Sequence, residues 1–169
     1  LEWKVKDTIA IPNPLWFTTQ VLSDLNNKKV IAVGRHTYEK GFDRMLQIWK
    51  KVLVKHPDWI LDIYGNSSEN NHLKLLTKKL NISENVVFYE PVHNINDKYL
   101  EASFYLMTSR FEGFGMVLIE AMASGLPCIA YDCPCGPRAI IAHNEDGFLI
   151  ENSNESDYVN AIDTLIENV

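Results

Sequence analysis

Short apolar segments alternate with longer segments of mixed polarity along most of the chain. The apolar segments are rich in β-branched and aromatic side chains and cover residues 29–34, 59–65, 86–89, 103–107, 127–131 and 147–151. Continuous apolar runs of this length are typical of strands buried on both faces of a parallel sheet. Because these runs alternate with helical segments, the pattern predicts a doubly wound α/β fold with a parallel sheet of about six strands.

The segments between the apolar runs have the periodicity of amphipathic helices. Residues 41–55 place five apolar side chains on one helical face: Phe42, Met45, Leu46, Trp49 and Leu53. A shorter helix is predicted over 73–80, and another over 94–102 with Asn94 or Asn96 as its N-cap. The last helix is expected to begin near Glu155 and to carry an apolar face of Tyr158, Ala161, Ile162, Leu165 and Val169.

The segment at 109–127 differs from the others because it combines carboxylates, glycines and a long apolar run. A glutamate and two glycines come first, and from 116 to 124 every residue except Glu120 and Ser124 is apolar. This composition predicts a helix over 116–124 that is buried on all sides. A glycine and a proline follow it, as is usual after a helix C-terminus.

The start of this helix is a candidate anion site. Gly113 and Gly115 leave backbone N–H groups unshielded where the helix dipole is positive, which favours an anion there. Side chains on a helix lean toward its N-terminus, so Glu120 reaches back toward that anion. A carboxylate beside a phosphate site usually accepts hydrogen bonds from sugar hydroxyls. The residues alone leave a second interpretation open, in which Glu120 is a buried structural cap and Glu112 a turn residue.

A second candidate site lies in the loop after the first apolar run. Arg35 and Lys40 stand in this loop, and open α/β sheets bind ligands at the carboxyl ends of their strands. A solvated basic pair is the usual interpretation of an isolated Arg and Lys, but the position favours ligand binding. His36 and His143 are formal candidates for catalytic bases, although a histidine in such a loop is more often a surface or hydrogen-bonding residue.

Length and composition restrict the class of protein. The 169 residues suffice for one domain with its own core. A net charge of −6, without a Lys/Arg cluster, argues against nucleic-acid binding. Three cysteines (Cys128, Cys133 and Cys135) give no even disulfide set, which favours a reducing compartment, and their spacing does not fit a structural zinc site. The longest apolar stretch is interrupted by Glu120, so we expect no membrane span, and no signal peptide is visible.

Glu112 and Glu120 have seven residues between them and stand in Glu-Gly-Phe-Gly and Glu-Ala-Met-Ala-Ser-Gly-Leu-Pro. This pattern resembles the signature of retaining glycosyltransferases of the large family 4, or group 1, which have the two-domain GT-B fold. The resemblance extends over nearly the whole chain and concerns the C-terminal, Rossmann-like half of that fold. It implies that residues 1–20 are an interdomain segment and that residues 21–169 bind a nucleotide sugar, with the N-terminal acceptor domain absent.

The resemblance also implies a role for each candidate residue. In the family, an Arg and a Lys at the positions of Arg35 and Lys40 contact the donor's diphosphate, and the loop after the third strand lies beside the nucleobase. Glu120 would hold the ribose, and Glu112 hydroxyls of the transferred sugar, with Glu112, Arg35 and Lys40 as the catalytic set. The residues implied in donor binding are therefore Arg35, Lys40, Pro91, Val92, Glu112, Gly113, Phe114, Gly115, Met116 and Glu120.

The implied activity is transfer of a sugar, with retention of configuration, from a nucleotide-diphosphate sugar to a glycan or lipid-linked acceptor, as in polysaccharide biosynthesis. UDP is the expected nucleotide. The sequence contains no Asp-x-Asp, which fits a metal-independent enzyme without a cofactor. The family further implies a cytoplasmic location and peripheral association of the full-length enzyme with the inner face of the membrane.

Two other functions compete with this interpretation. A nicotinamide-dependent enzyme predicts Gly-x-Gly-x-x-Gly after the first strand, but the loop reads Gly-Arg-His-Thr-Tyr-Glu-Lys-Gly. A non-catalytic nucleotide-sugar-binding module, or a related GT-B enzyme such as an epimerase, is compatible with the sequence. The chain also departs from the family pattern at two places: Asn66 follows Gly65 where a second glycine is common, and Ala139 stands where a carboxylate is common.

Overall fold

The computed structural model describes residue 9, residues 13–15 and 17, and residues 21–66 and 71–168. The predicted interdomain segment at 1–20 therefore lies for the most part outside the described residues. Within the described ranges, no helix is long and apolar enough to cross a bilayer.

Six parallel strands form one sheet. They are β1 (Lys29–Val33), β2 (Ile60–Tyr64), β3 (Val86–Tyr89), β4 (Phe104–Met107), β5 (Cys128–Asp132) and β6 (Gly147–Glu151). Their order is β3-β2-β1-β4-β5-β6, and every neighbouring pair is parallel. The prediction of a doubly wound parallel sheet is confirmed. The order reverses between β1 and β4, so the loops after these two strands open on the crevice where such sheets bind ligands.

The described residues form six α-helices, of which five connect strands and the last follows β6: α1 (Phe42–Val52), α2 (Asn71–Leu80), α3 (Asn96–Leu100), α4 (Met116–Ala123), α5 (Pro137–Ile140) and α6 (Glu155–Asn168). Two short 3₁₀ turns, Tyr38–Lys40 and Ser83–Asn85, precede α1 and β3. The short α5 and the turn Tyr38–Lys40 have too few residues to show a helical period, and the sequence did not predict them.

Each face of the sheet has its own hydrophobic core. On one face, α1, α2 and α6 cover the sheet, and fully buried side chains such as Trp49 and Tyr158 fill the space. On the other face lie α3 and α4, with Tyr99, Tyr105 and Leu118 among the buried residues. Successive residues of a strand point to opposite faces, which is why a central strand such as β4, Phe-Tyr-Leu-Met, is apolar at every position.

Helix α1 confirms the predicted apolar face but ends three residues early. Met45, Leu46 and Trp49 are buried as expected, while Leu53 lies just beyond the helix and is only half-buried. Val52 takes the last core position instead. The nearby Pro57 restricts the preceding residue to extended conformations, so the chain leaves the helix through a turn before it.

Two further expectations are wrong. Neither Asn94 nor Asn96 caps α3, because its N-cap is Ile95, whose helical conformation and apolar side chain provide no capping bond. Helix α4 is not buried on all sides: Leu118 and Ala121 are its only buried residues, and the others are half-buried. The physical reason is that α4 packs on the sheet with one face, and no second layer covers its outer face within the described part of the chain.

Candidate functional site

The loops after β1 and β4 pack directly against each other. Gly41, in the first loop, has a φ of 66°, and a Cβ at this position would clash with the carbonyl oxygen of Thr108 in the second loop. The hydroxyl of Thr108 donates to the Gly41 carbonyl at 2.8 Å. Only glycine combines this backbone conformation with so close an approach. Two loops that are distant in sequence thus form one surface at the carboxyl edge of the sheet.

Lys40 and Glu112 meet at this surface. The Lys40 ammonium donates to both carboxylate oxygens of Glu112, at 2.7 and 2.8 Å, and the Ser109 hydroxyl donates to one of them at 2.5 Å. The side chain of Glu112 is 6% exposed and that of Lys40 20%. A buried carboxylate needs such partners to remain charged. An ammonium has three N–H donors, so Lys40 can hold Glu112 and still donate to a ligand.

Arg35 lies in the same loop as Lys40 but in a different environment. Its side chain is exposed, and it forms no hydrogen bond or ion pair within the part of the chain that the structure describes. A guanidinium in this state can bind an anion without giving up an existing partner. The structure therefore brings Lys40 and Glu112 into contact and leaves Arg35 open to solvent.

The N-terminus of α4 follows Glu112 closely. Gly115 is its N-cap, with a φ of 95°, and the Leu118 N–H closes the first turn on the Gly115 carbonyl at 2.9 Å. The N–H groups of the first helical residues, Met116 and Val117, have no acceptor within the helix. Gly113 is exposed, with open space where a side chain would stand. These amides are positioned to bind an anion.

Glu120 lies one turn further along α4. It is half-buried, so the expectation of a buried carboxylate is wrong and its side chain is accessible. The hydroxyl of Tyr99, a fully buried residue of α3, donates to a Glu120 carboxylate oxygen at 3.3 Å. Burial raises the pKa of Tyr99 well above its ordinary value, so this hydroxyl stays protonated and remains a donor.

The other sequence-predicted residues lie around this centre. Pro91 and Val92 are exposed in the loop after β3, and Phe114 is half-buried before α4. His36 is 2% exposed and packs edge-on against Phe42, with ring centroids 5.1 Å apart, so a surface position is excluded for it. Burial lowers the pKa of His36, which keeps the imidazole neutral.

His143, the second histidine considered, lies away from this centre. It is exposed beside β6, where its Nδ1 accepts the Leu149 N–H at 3.1 Å. This surface, hydrogen-bonded position agrees with the expectation from the sequence and gives His143 no contact with the Lys40–Glu112 pair.

Sequence reasoning missed three charged residues that join the two loops. Arg110 forms two hydrogen bonds with the carboxylate of Asp43, at 2.8 and 2.7 Å. Arg44 donates to the carbonyl oxygens of Thr108 and Ser109, at 2.5 and 2.8 Å through one nitrogen. Each partner is more than sixty positions away along the chain, so no local pattern links them; the only available signal is their adjacency to Lys40 and Glu112.

The described residues contain no group of three or more His, Cys, Asp or Glu side chains arranged to hold a metal ion. Cys128, Cys133 and Cys135 are all unpaired. Beside Pro134, whose carbonyl accepts the Glu112 N–H at 3.5 Å, a cavity of about 700 Å³ opens between the loop after β5 and Asn152. The site thus consists of two basic side chains, two carboxylates, a helix N-terminus and an adjacent open cavity.

This arrangement has counterparts in known proteins. The family model for glycosyl transferases of group 1 matches residues 18–169. An uncharacterized glycosyltransferase of Haemophilus influenzae is 38% identical over 168 residues, which cover 99% of this chain and 48% of that protein. The amylovoran biosynthesis glycosyltransferase AmsD of Erwinia amylovora is 42% identical over 128 residues, or 75% of this chain and 35% of that protein.

The fold comparison agrees with the sequence comparison. A Staphylococcus aureus TarM mutant, solved in complex with fondaparinux, α-GlcNAc-glycerol and UDP, superposes with a TM-score of 0.81 at 26% identity, over 95% of this chain and 31% of the other. The chain spans half or less of the length of these relatives. The family model and both relatives by sequence agree with the resemblance carried by Glu112 and Glu120: the chain belongs to the glycosyl transferases of group 1.

Proposed function

We propose that this chain is the donor-binding, C-terminal half of a retaining glycosyltransferase that moves a sugar from a UDP-sugar to a glycan or lipid-linked acceptor. One observation carries the proposal: two carboxylates flank an open helix N-terminus at the carboxyl edge of the sheet, and two basic side chains lie in the adjoining loop. A solved protein of similar fold binds UDP, which supports the choice of nucleotide.

The diphosphate is assigned to Arg35, Lys40 and the amides at the start of α4. The guanidinium of Arg35 is exposed and has no hydrogen bond or ion pair among the described residues, and Lys40 keeps one N–H in addition to the two directed at Glu112. Together with the helix dipole, these donors neutralise the charge that develops on the departing nucleotide. Such a set of donors performs the task that a metal ion performs elsewhere, so we infer metal-independent transfer.

The two carboxylates are assigned to different parts of the donor. Glu120 is accessible beyond the helix N-terminus and would accept hydrogen bonds from the ribose, next to a nucleobase held by Pro91 and Val92. Glu112 precedes the helix and adjoins the cavity beside Pro134, so it would bind hydroxyls of the transferred sugar. The sugar then projects toward the half of the GT-B fold that binds the acceptor.

Calorimetry with UDP and with uridine tests the assignment. We expect UDP to bind in the presence of EDTA, and Arg35→Ala and Lys40→Ala each to weaken UDP about tenfold or more, because charge-assisted hydrogen bonds contribute about 1.5–3 kcal/mol. Uridine, which lacks phosphate, should bind the variants and the parent chain equally. A strict requirement for Mg²⁺ or Mn²⁺ would contradict the assignment of the phosphates to these side chains.

A transfer assay tests the division of labour between the two halves. The chain alone should bind donor but transfer no sugar, because the proximity of two bound substrates provides much of a transferase's rate. Robust transfer to an added acceptor by the 169-residue chain would refute this expectation.

A further inference from the structure

Arg110 contacts both the 3₁₀ turn that carries Lys40 and the first turn of α1. Its guanidinium forms two hydrogen bonds with Asp43, at 2.8 and 2.7 Å, and one with the Tyr38 carbonyl at 2.8 Å. The guanidinium carbon also lies 4.0 Å from the centroid of the Tyr38 ring, and the Arg110 N–H donates to the Glu39 carbonyl at 2.6 Å. This residue therefore contacts two of the three residues of the 3₁₀ turn and, through Asp43, the helix that follows the turn.

These contacts fix the backbone of the residues directly before Lys40. Lys40 is the last residue of the 3₁₀ turn that Arg110 contacts, and Arg110 lies two residues before Glu112. We propose that Arg110 and Asp43 form a clamp that positions Lys40 for the diphosphate; the inference rests on the proposed function of Lys40 as a phosphate ligand. Both are positioning residues, because neither is assigned to contact the donor.

The chemistry of the Arg110–Asp43 pair indicates that it orients neighbouring groups and contributes little to the free energy of unfolding. Asp43 is 44% exposed in its side chain, and exposed ion pairs contribute little to folding. A bidentate Arg–carboxylate pair, in contrast, fixes the orientation of both groups, and here it fixes one loop against the other. Arg110 holds the pKa of Asp43 below its ordinary value, so the carboxylate is charged and the pair intact at neutral pH.

The direction in which Asp43→Asn changes UDP affinity distinguishes a positioning role from a simple effect of charge. Asp43→Asn removes a negative charge close to an anion site, and this change by itself should strengthen anion binding. We expect the opposite: UDP affinity should fall about three- to tenfold, because coupled neighbouring residues typically interact at this level. Unchanged or tighter UDP binding by folded Asp43→Asn would overturn the proposal.

Asp58→Asn is the matched control. Asp58 forms an ion pair with Lys28 at the amino ends of β1 and β2, at the opposite edge of the sheet. The substitution makes the same chemical change far from the site and should leave UDP affinity at the parental value. An equal loss of UDP binding in both variants would overturn the clamp, because the effect would then not depend on contact with Arg110.

Arg110→Lys provides a second, independent test. Lysine keeps the positive charge but lacks the planar fork that binds Asp43 through two bonds. UDP affinity should fall about as far as in Asp43→Asn, roughly three- to tenfold, while the circular dichroism spectrum stays parental. Parental UDP affinity in Arg110→Lys would overturn the proposal.

A double-mutant cycle distinguishes this inference from a structural role. In a Lys40→Ala background, Asp43→Asn should cause no further loss of UDP affinity, and uridine should bind all these variants equally. A loss that persists without Lys40, or that extends to uridine, would overturn the clamp. Failure of the parent chain to bind UDP would overturn the proposed function and this inference together; UDP binding that depends on Lys40 but not on Asp43 would overturn the inference alone.

Discussion

The two carboxylates of the site have contrasting environments. Glu112 lies in a loop with its side chain 6% exposed, bound by the Lys40 ammonium and the Ser109 hydroxyl. Glu120 lies on a helix, half-buried, with a neutral hydroxyl of Tyr99 at 3.3 Å. The loop carboxylate is thus bound by a cation and a short hydroxyl bond, whereas the bond from Tyr99 to the helix carboxylate is longer and comes from a neutral group.

Under the proposed function, the two environments correspond to two tasks, one that depends on charge and one that depends on orientation. The Lys40–Glu112 pair keeps a buried carboxylate and a cation together at the place where the leaving group and the sugar would meet, so any ligand there must fit around an existing pair. Glu120 is accessible and can accept hydrogen bonds from hydroxyl groups with little rearrangement. The following predictions test this contrast, in order of decreasing expected effect.

Removal of the Lys40 ammonium should have the largest effect. Lys40→Met leaves the Glu112 carboxylate buried without its cation, and breaking a buried pair from one side costs about 3–5 kcal/mol. Since Lys40 is partly exposed, we expect a loss of about 3 kcal/mol in the free energy of unfolding, measured by urea denaturation. Adding Glu112→Gln should restore most of it. If the double variant were as unstable as Lys40→Met, the uncompensated charge would not be the cause.

Neutralising each carboxylate should separate the two roles. Glu120→Gln should weaken UDP and UDP-sugars alike, about tenfold, because both contain the ribose and a hydrogen bond to a charged group contributes about 1.5–3 kcal/mol. Glu112→Gln should preserve UDP affinity and remove any additional affinity for the sugar-bearing donor. Calorimetry on variants shown to be folded measures both. Loss of UDP binding in Glu112→Gln, with Glu120→Gln unaffected, would mean that the ligand lies in the reverse orientation.

The Ser109 hydroxyl should contribute more to the free energy of unfolding than the buried hydroxyl of Ser124. Ser109→Ala removes a short bond to the charged Glu112, and we expect a loss of about 1.5–2 kcal/mol in unfolding free energy. Ser124 is the control, since it is also buried but its hydroxyl donates to an uncharged acceptor, the Glu120 backbone carbonyl, at 3.1 Å. Ser124→Ala should cost less, about 0.5–1 kcal/mol. Equal losses would show that the charge on Glu112 does not strengthen the Ser109 bond.

The sequence predicted the features that depend on local pattern. The apolar runs gave the six strands, and the spacing of Met45, Leu46 and Trp49 gave the buried face of α1. Parallel strands place their carboxyl ends along one edge, and this rule led to the prediction that the loop of Arg35 and Lys40 binds a ligand. Family resemblance supplied the candidate roles, which the experiments above are designed to test.

What the sequence did not predict depends on contacts between distant positions. The apolar composition of α4 does not reveal that only one of its faces packs on the sheet. The prediction that Glu120 is buried was therefore wrong. The pairing of Lys40 with Glu112 joins residues 72 positions apart, and the bonds of Arg110 with Asp43 join residues 67 apart. Such contacts depend on the relative placement of whole elements, which local periodicity does not determine.

The hydroxyl of Tyr99 should have the smallest effect, confined to ligand binding. Tyr99→Phe keeps the buried ring and removes the bond to Glu120, whose carboxylate then gains rotamer freedom that binding must restrict. We expect UDP affinity to fall about two- to fivefold, in keeping with a single long, weak hydrogen bond. Because burial holds the pKa of Tyr99 well above its ordinary value, the hydroxyl never ionises in the working range, and the loss should be constant from about pH 6 to 9.

Tyr105→Phe is the control for this last prediction. Tyr105 is equally buried, and its hydroxyl donates to the Val33 carbonyl at 3.2 Å, whereas the Tyr99 hydroxyl donates to Glu120. Its removal should lower the free energy of unfolding, because a buried carbonyl loses a partner, but should leave UDP affinity unchanged. If Tyr105→Phe weakened UDP as much as Tyr99→Phe does, the effect would come from packing beneath α4, and the helix carboxylate would need no positioning partner. Selective loss in Tyr99→Phe would instead show that even a weak neutral bond orients Glu120 for the ribose.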